Sequence, residues 1–168
     1  EIYTLSLHDA LPISICRRYA PPADYDCLPQ PLLDDLQQAR RPLIVFGQYS
    51  PRSFHYEGLD WLFSHVIVLH EALAPFTTVS HFEEVLTDPQ LLPDFILYVG
   101  DAIVSKRLKA FLRQAREART WRISLTGEVE DTFQNLRGIV VGDAERILQA
   151  LDNKLSRPRS AKPDSQAD

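Results

Sequence analysis

Methionine is absent from all 168 residues, position 1 included. A translation product starts with one, so the true start is expected to be missing. Cysteine is nearly as scarce. Cys16 and Cys27 stand alone and outside any C-x-x-C spacing, which excludes a disulfide framework and a zinc or redox motif. Two free thiols suit a reducing, cytoplasmic compartment. No apolar run approaches the roughly 18 residues of a membrane helix, so no transmembrane segment is expected. Cations are also few: 18 Lys and Arg against 23 Asp and Glu give a net charge of −5. Neutralising phosphates needs a clustered basic surplus, so nucleic acid is excluded as a general partner.

What is present is globular material, 45% apolar and 24% charged, at a length that makes one domain. A core of this size stabilises itself without disulfides or metals. Residues 1–14 are a special case. Their stretch from Tyr3 to Ser14, Y-T-L-S-L-H-D-A-L-P-I-S, resembles a translated sequencing adapter. It is read as a non-native leader, and His8 and Asp9 are set aside with it. Residues 15–27 form an irregular, proline-bearing linker, residues 28–155 an α/β domain, and residues 156–168 a disordered linker with nothing to bury.

Within the domain, apolar runs alternate with amphipathic stretches. Leu43 to Phe46, Val66 to Leu69, Phe95 to Val99, Trp121 to Leu125 and Ile139 to Val141 read as strands. Runs that are apolar on both faces belong in a parallel sheet covered by helices. Between them, Leu32, Leu33, Leu36 and Ala39 give one helical stripe; Leu59, Leu62 and Phe63 a second; Phe82, Val85 and Leu86 a third. Leu108, Phe111, Leu112 and Ala115 give a fourth, and Ile147, Leu148, Leu151 and Leu155 a fifth, capped by Asp143. The alternation predicts a Rossmann-like, doubly wound, mainly parallel sheet of five or six strands with helices on both faces.

Ligands of such sheets bind at the carboxyl ends of the strands. The first of these turns, Gly47-Gln48-Tyr49-Ser50-Pro51, is neither G-x-G-x-x-G nor a Walker loop. His70-Glu71 fails as H-E-x-x-H because position 74 is Ala74, and His65, His70 and His81 are read as surface or half-buried rather than as metal ligands. No role is assigned to His70, Glu71 or His81. Gly100-Asp101 and Gly142-Asp143 match the opening of the thiamine-diphosphate signature, but Asn135 and Asn153 stand at the wrong distances to complete a magnesium shell. Both pairs are read as strand-ending turns.

One constellation remains. In Gly100-Asp101-Ala102-Ile103-Val104-Ser105-Lys106-Arg107-Leu108-Lys109, Ser105 is a natural N-cap, and Lys106, Arg107 and Lys109 fall in or next to the first helical turn. The macrodipole disfavours cations there, by about 0.3–1 kcal/mol each. A capping hydroxyl, free N–H groups and two adjacent cations are instead what an anionic ligand uses. A solvated basic turn is the alternative.

Together with Pro93-Asp94, Leu43 to Gly47, Trp121, Gly127-Glu128 and Asp131-Thr132-Phe133-Gln134, this stretch resembles the central domain of the 2-succinyl-5-enolpyruvyl-6-hydroxy-3-cyclohexene-1-carboxylate synthases, transferases of menaquinone biosynthesis. The resemblance covers about Leu28 to Leu155. It implies a Rossmann-like domain set between N- and C-terminal thiamine-binding domains, in an enzyme that uses thiamine diphosphate and Mg2+. That enzyme decarboxylates 2-oxoglutarate and adds the succinyl unit to isochorismate. The resemblance further implies that Ser105, Lys106 and Arg107 bind substrate carboxylate, that the complete protein is a homo-oligomer, and that this fragment alone binds no cofactor and is inactive. The competing expectations are a stand-alone α/β module sensing a small anion and a non-catalytic scaffold domain.

Overall fold

The computed structural model describes residues 16–20, 25, 27–48, 57–70 and 86–157. The elements run β1 (Arg17–Tyr19), α1 (Gln30–Gln38), β2 (Pro42–Phe46), α2 (Asp60–His65), β3 (Ile67–His70), β4 (Phe95–Val99), α3 (Lys106–Leu112), β5 (Arg119–Ser124), β6 (Leu136–Val141) and α4 (Ala144–Ser156). One six-stranded sheet has the order β1-β6-β5-β4-β2-β3, with every pair parallel. The doubly wound expectation therefore holds. The adapter-like leader, the stripe of Phe82 and Val85, Glu71, His81 and all but the first two residues of the terminal linker lie outside the described residues.

Period-2 alternation in the strands feeds two cores. In β2, Ile44 and Phe46 point with Phe95, Leu97 and Val99 of β4 toward α1, α2 and α4, which contribute Leu32, Leu36, Leu62, Ile147, Leu148 and Leu151. Leu43 and Val45 point the other way with Ile96 and Tyr98, against Leu108, Phe111 and Leu112 of α3. All five residues of β4 are buried, as a central parallel strand covered on both faces requires.

Two features differ from expectation. The proline-bearing approach over residues 15–27 contains a short edge strand, β1, paired through Arg17↔Gly138 and Tyr19↔Val140. A three-residue strand with exposed arginines carries no periodic signal; its pairing comes from β6, already held in the sheet. Helix α3 is also shorter than its stripe. It stops at Leu112, the chain tightening through Gln114 N–H to Phe111 C=O and Ala115 N–H to Leu112 C=O, while Ala115 stays buried.

At the amino edge, Asp94 ties three strands together. Its carboxylate accepts the backbone N–H groups of Arg40 (2.8 Å) and Arg41 (2.9 Å) before β2, and its carbonyl accepts Arg119 N–H at the start of β5. Burial pushes this carboxyl group's pKa up, but the backbone N–H bonds from Arg40, Arg41 and Asp94 itself, with the Arg119 charge, outweigh it and hold the pKa below the ordinary value. A lowered folded-state pKa gives stability that is complete above the unfolded carboxylate value of about 3.9 and lost as pH falls through the folded value. Urea unfolding midpoints measured from pH 5 down to pH 2 are therefore expected to fall less steeply for Asp94→Asn than for the parent chain. Parallel curves would remove Asp94 as a source of the acid sensitivity.

Candidate functional site

The chain reverses its winding direction around β2: β3 lies on one side of it, and β4, β5 and β6 follow on the other. A switch of this kind normally leaves a crevice at the carboxyl edge. Here Gly47 and Gln48, at the start of the chain leaving β2, are laced to the loop after β4. Gly47 N–H donates to Val99 C=O (3.0 Å), Gln48 N–H to Ala102 C=O (3.0 Å), and Asp101 N–H to Gln48 C=O (2.7 Å). A Cβ on Gly47 would run into the Asp101 carbonyl, so only glycine permits this approach. Gly100 turns the chain out of β4 at φ 91°, and the Tyr98 hydroxyl donates to the Asp101 carbonyl.

With Ile103 buried below it, this pinned loop delivers Ser105 to the start of α3. The Ser105 hydroxyl accepts Leu108 N–H at 3.1 Å, the expected N-cap. Lys106 and Arg107 follow as the first two helical residues, and both are exposed. The structure thus brings the three together on one turn at the carboxyl edge. Because α3 has only seven residues, Lys109 lies in its last turn, where the dipole favours a cation. The dipole penalty therefore falls on Lys106 and Arg107 and not on Lys109.

Asp143 caps α4, its carboxylate accepting Arg146 N–H at 3.0 Å. Among the described residues, no three His, Cys, Asp or Glu side chains gather as metal ligands. With Asp143 engaged in capping, the described residues offer no such ligand set for a magnesium diphosphate. The His65 ring stacks on Trp61 at 4.3 Å, and its Nδ1 lies 2.8 Å from the Trp61 carbonyl, a local helical role. Both cysteines are free thiols, and burial is the main cause raising the Cys16 pKa. No helix among the described residues is long and apolar enough to cross a membrane.

No family model matches the chain. Curated relatives do. A Bacteroides thetaiotaomicron protein is 28% identical over 163 residues, covering 88% of this chain. A Bacteroides fragilis protein is 29% identical over 87% of it, and one from Porphyromonas gingivalis 28% identical over 76%. All three are named 2-succinyl-5-enolpyruvyl-6-hydroxy-3-cyclohexene-1-carboxylate synthase. The chain is similar to these synthases along most of its length. It spans only 29%, 29% and 24% of their respective lengths.

The other residues that carried the resemblance to these synthases take structural places. Asp131 accepts the N–H groups of Asn135 and Leu136, both at 3.0 Å, and so sets the turn into β6. Phe133 packs edge-on to Tyr98 at 5.6 Å. Trp121 is buried and donates its indole N–H to Asp35 at 2.8 Å.

Sequence reasoning missed Arg122. It is 5% exposed and stands beside a cavity of about 220 Å3 at the carboxyl ends of β4, β5 and β6. The signal was available: a charge inside the strand Trp121-Arg122-Ile123, where burial demands compensation.

The Ser105 cap has a direct check. Ser105→Ala is expected to lower unfolding free energy by about 1 kcal/mol, read as a shift in denaturation midpoint at unchanged slope, whereas Ser105→Asp, which keeps an acceptor, is expected to hold the midpoint. Equal losses in both would show that the hydroxyl does not support α3.

Proposed function

We propose that this chain is the central domain of a 2-succinyl-5-enolpyruvyl-6-hydroxy-3-cyclohexene-1-carboxylate synthase, and that its Ser105-Lys106-Arg107 turn contacts substrate carboxylate. The observation that carries this reading is the match to synthases of that name over most of this chain but under a third of theirs. In the complete enzyme, flanking domains bind thiamine diphosphate and Mg2+, which supply the carbanion chemistry. This domain's part in that reading is binding and support.

Both substrates, 2-oxoglutarate and isochorismate, are polyanions. Two adjacent exposed cations at the carboxyl edge of the sheet give such molecules a favourable field on approach and a charge-assisted contact on arrival. Neither cation handles a proton or forms a covalent bond in this reading. The chain alone is expected to be inactive, and the complete enzyme is expected to be a homo-oligomer working in the cytoplasm.

In the complete synthase, Lys106→Ala and Arg107→Ala are each expected to raise KM for at least one anionic substrate by about tenfold, the worth of one charge-assisted contact. Only small changes are expected in kcat and melting temperature. Unchanged KM in both variants would overturn the contact. A reading frame that encodes no thiamine-binding domain on either side would overturn the assignment itself.

A further inference from the structure

The Arg122 guanidinium is held on the α3 face of the sheet, 5.5 Å over the Tyr98 ring. Its side chain is 7% exposed. Nη1 donates to the Glu128 carbonyl at 3.3 Å and lies 3.1 Å from the Glu130 carboxylate. Nε is buried and has no hydrogen-bond partner among the described residues. Burying a guanidinium with an unfilled donor is costly, because water's acceptors are lost and nothing replaces them. Among the described residues, the Glu130 carboxylate that pairs with this charge belongs to a side chain that is 56% exposed, where solvent screening weakens an ion pair.

Arg122 also lines an adjoining cavity. Its lining combines Arg122 with the hydroxyls of Ser124 and Thr126, the turn at Gly100, and two exposed acids, Asp101 and Glu128. Its volume of about 220 Å3 is below the range of roughly 300–1,000 Å3 typical of drug-sized ligands. One buried cation asks for one carboxylate. The acids at the rim repel further negative charge but accept hydrogen bonds from hydroxyl groups. We propose that this cavity binds a small hydroxy acid of single negative charge, whose carboxylate displaces Glu130 from Arg122 and whose hydroxyl donates to Asp101 or Glu128. The site rests on β5 and its following loop and does not depend on the role given to Lys106 and Arg107.

Glycerate is a suitable probe, with glycerol as the uncharged control and inorganic phosphate as the more highly charged one. In amide NMR titrations of the 15N-labelled 168-residue chain, glycerate is expected to shift the Ser124, Thr126, Gly127 and Gly142 signals saturably, glycerol not at all, and phosphate weakly. Glu130→Gln removes the competing carboxylate and is expected to tighten glycerate binding by about tenfold. Arg122→Gln is expected to abolish it. Lys106→Ala is expected to leave the titration unchanged, which keeps this site separable from the substrate-contact reading. Glu130→Gln decides the matter if Arg122→Gln does not fold: an ion pair serving only as a strut predicts weaker or unchanged binding in that variant, and either result overturns the proposal. So does an absence of saturable shifts with glycerate, or an equal response to phosphate.

Discussion

The indole N–H of Trp121 meets the carboxylate of Asp35 at 2.8 Å in the interior, joining the middle of the sheet to α1. Asp35 is 4% exposed, and a carboxylate so placed must be answered. Arg137 answers it at 3.1 Å and Arg119 at 3.6 Å, so that β5, β6 and α1 share one charge cluster. The ring lies against Gly138 of β6, where a Cβ would collide with it, and Tyr19 of β1 packs at 5.6 Å. The edge strand β1 thus leans on a tryptophan whose orientation is set by a hydrogen bond from another layer. The β5–β6 register shift falls between Thr120 and Trp121, at the position where the ring must be accommodated.

That anchor has a consequence one residue later. Side chains alternate along a strand, so fixing Trp121 toward α1 sends Arg122 to the opposite face, beside Tyr98. The cation is buried there because its neighbour is satisfied elsewhere. Tyr98 in turn donates its hydroxyl to the Asp101 carbonyl and so braces the loop that leads to Ser105. The amino-edge cluster and the carboxyl-edge loops are therefore connected through two adjacent residues of β5, by packing and hydrogen bonds on the two faces of one sheet.

The layered fold was legible because its cause is local. Apolar runs of strand length and stripes of helical period each demand a covering layer, and Leu43 to Phe46, Phe95 to Val99 and Ile147 to Leu155 supplied both signals. The caps at Ser105 and Asp143 were legible for the same reason, each hydroxyl or carboxylate answering an N–H three residues on. What stayed hidden is non-local. β1 exists because β6 offers it a ladder, and α3 ends where the chain turns toward β5, although its apolar stripe continues to Ala115. The Arg122 cavity belongs to this second class. Its lining comes from three strand ends that neighbour one another only after the sheet has formed.

The two cationic features of the carboxyl edge differ in what their surroundings let them do. Lys106 and Arg107 are exposed, so solvent and salt screen them, and their physical strength is long-range attraction at low discrimination. Arg122 is withdrawn from solvent, where a charge acts over short distance and strongly penalises a partner of the wrong shape or charge. The loop after β4 contributes to both, since Gly100 and Asp101 line the cavity and Ser105 starts α3. That loop is held by Gln48 at its base and Tyr98 at its turn, so a ligand drawing on Asp101 would act on a segment with few independent motions.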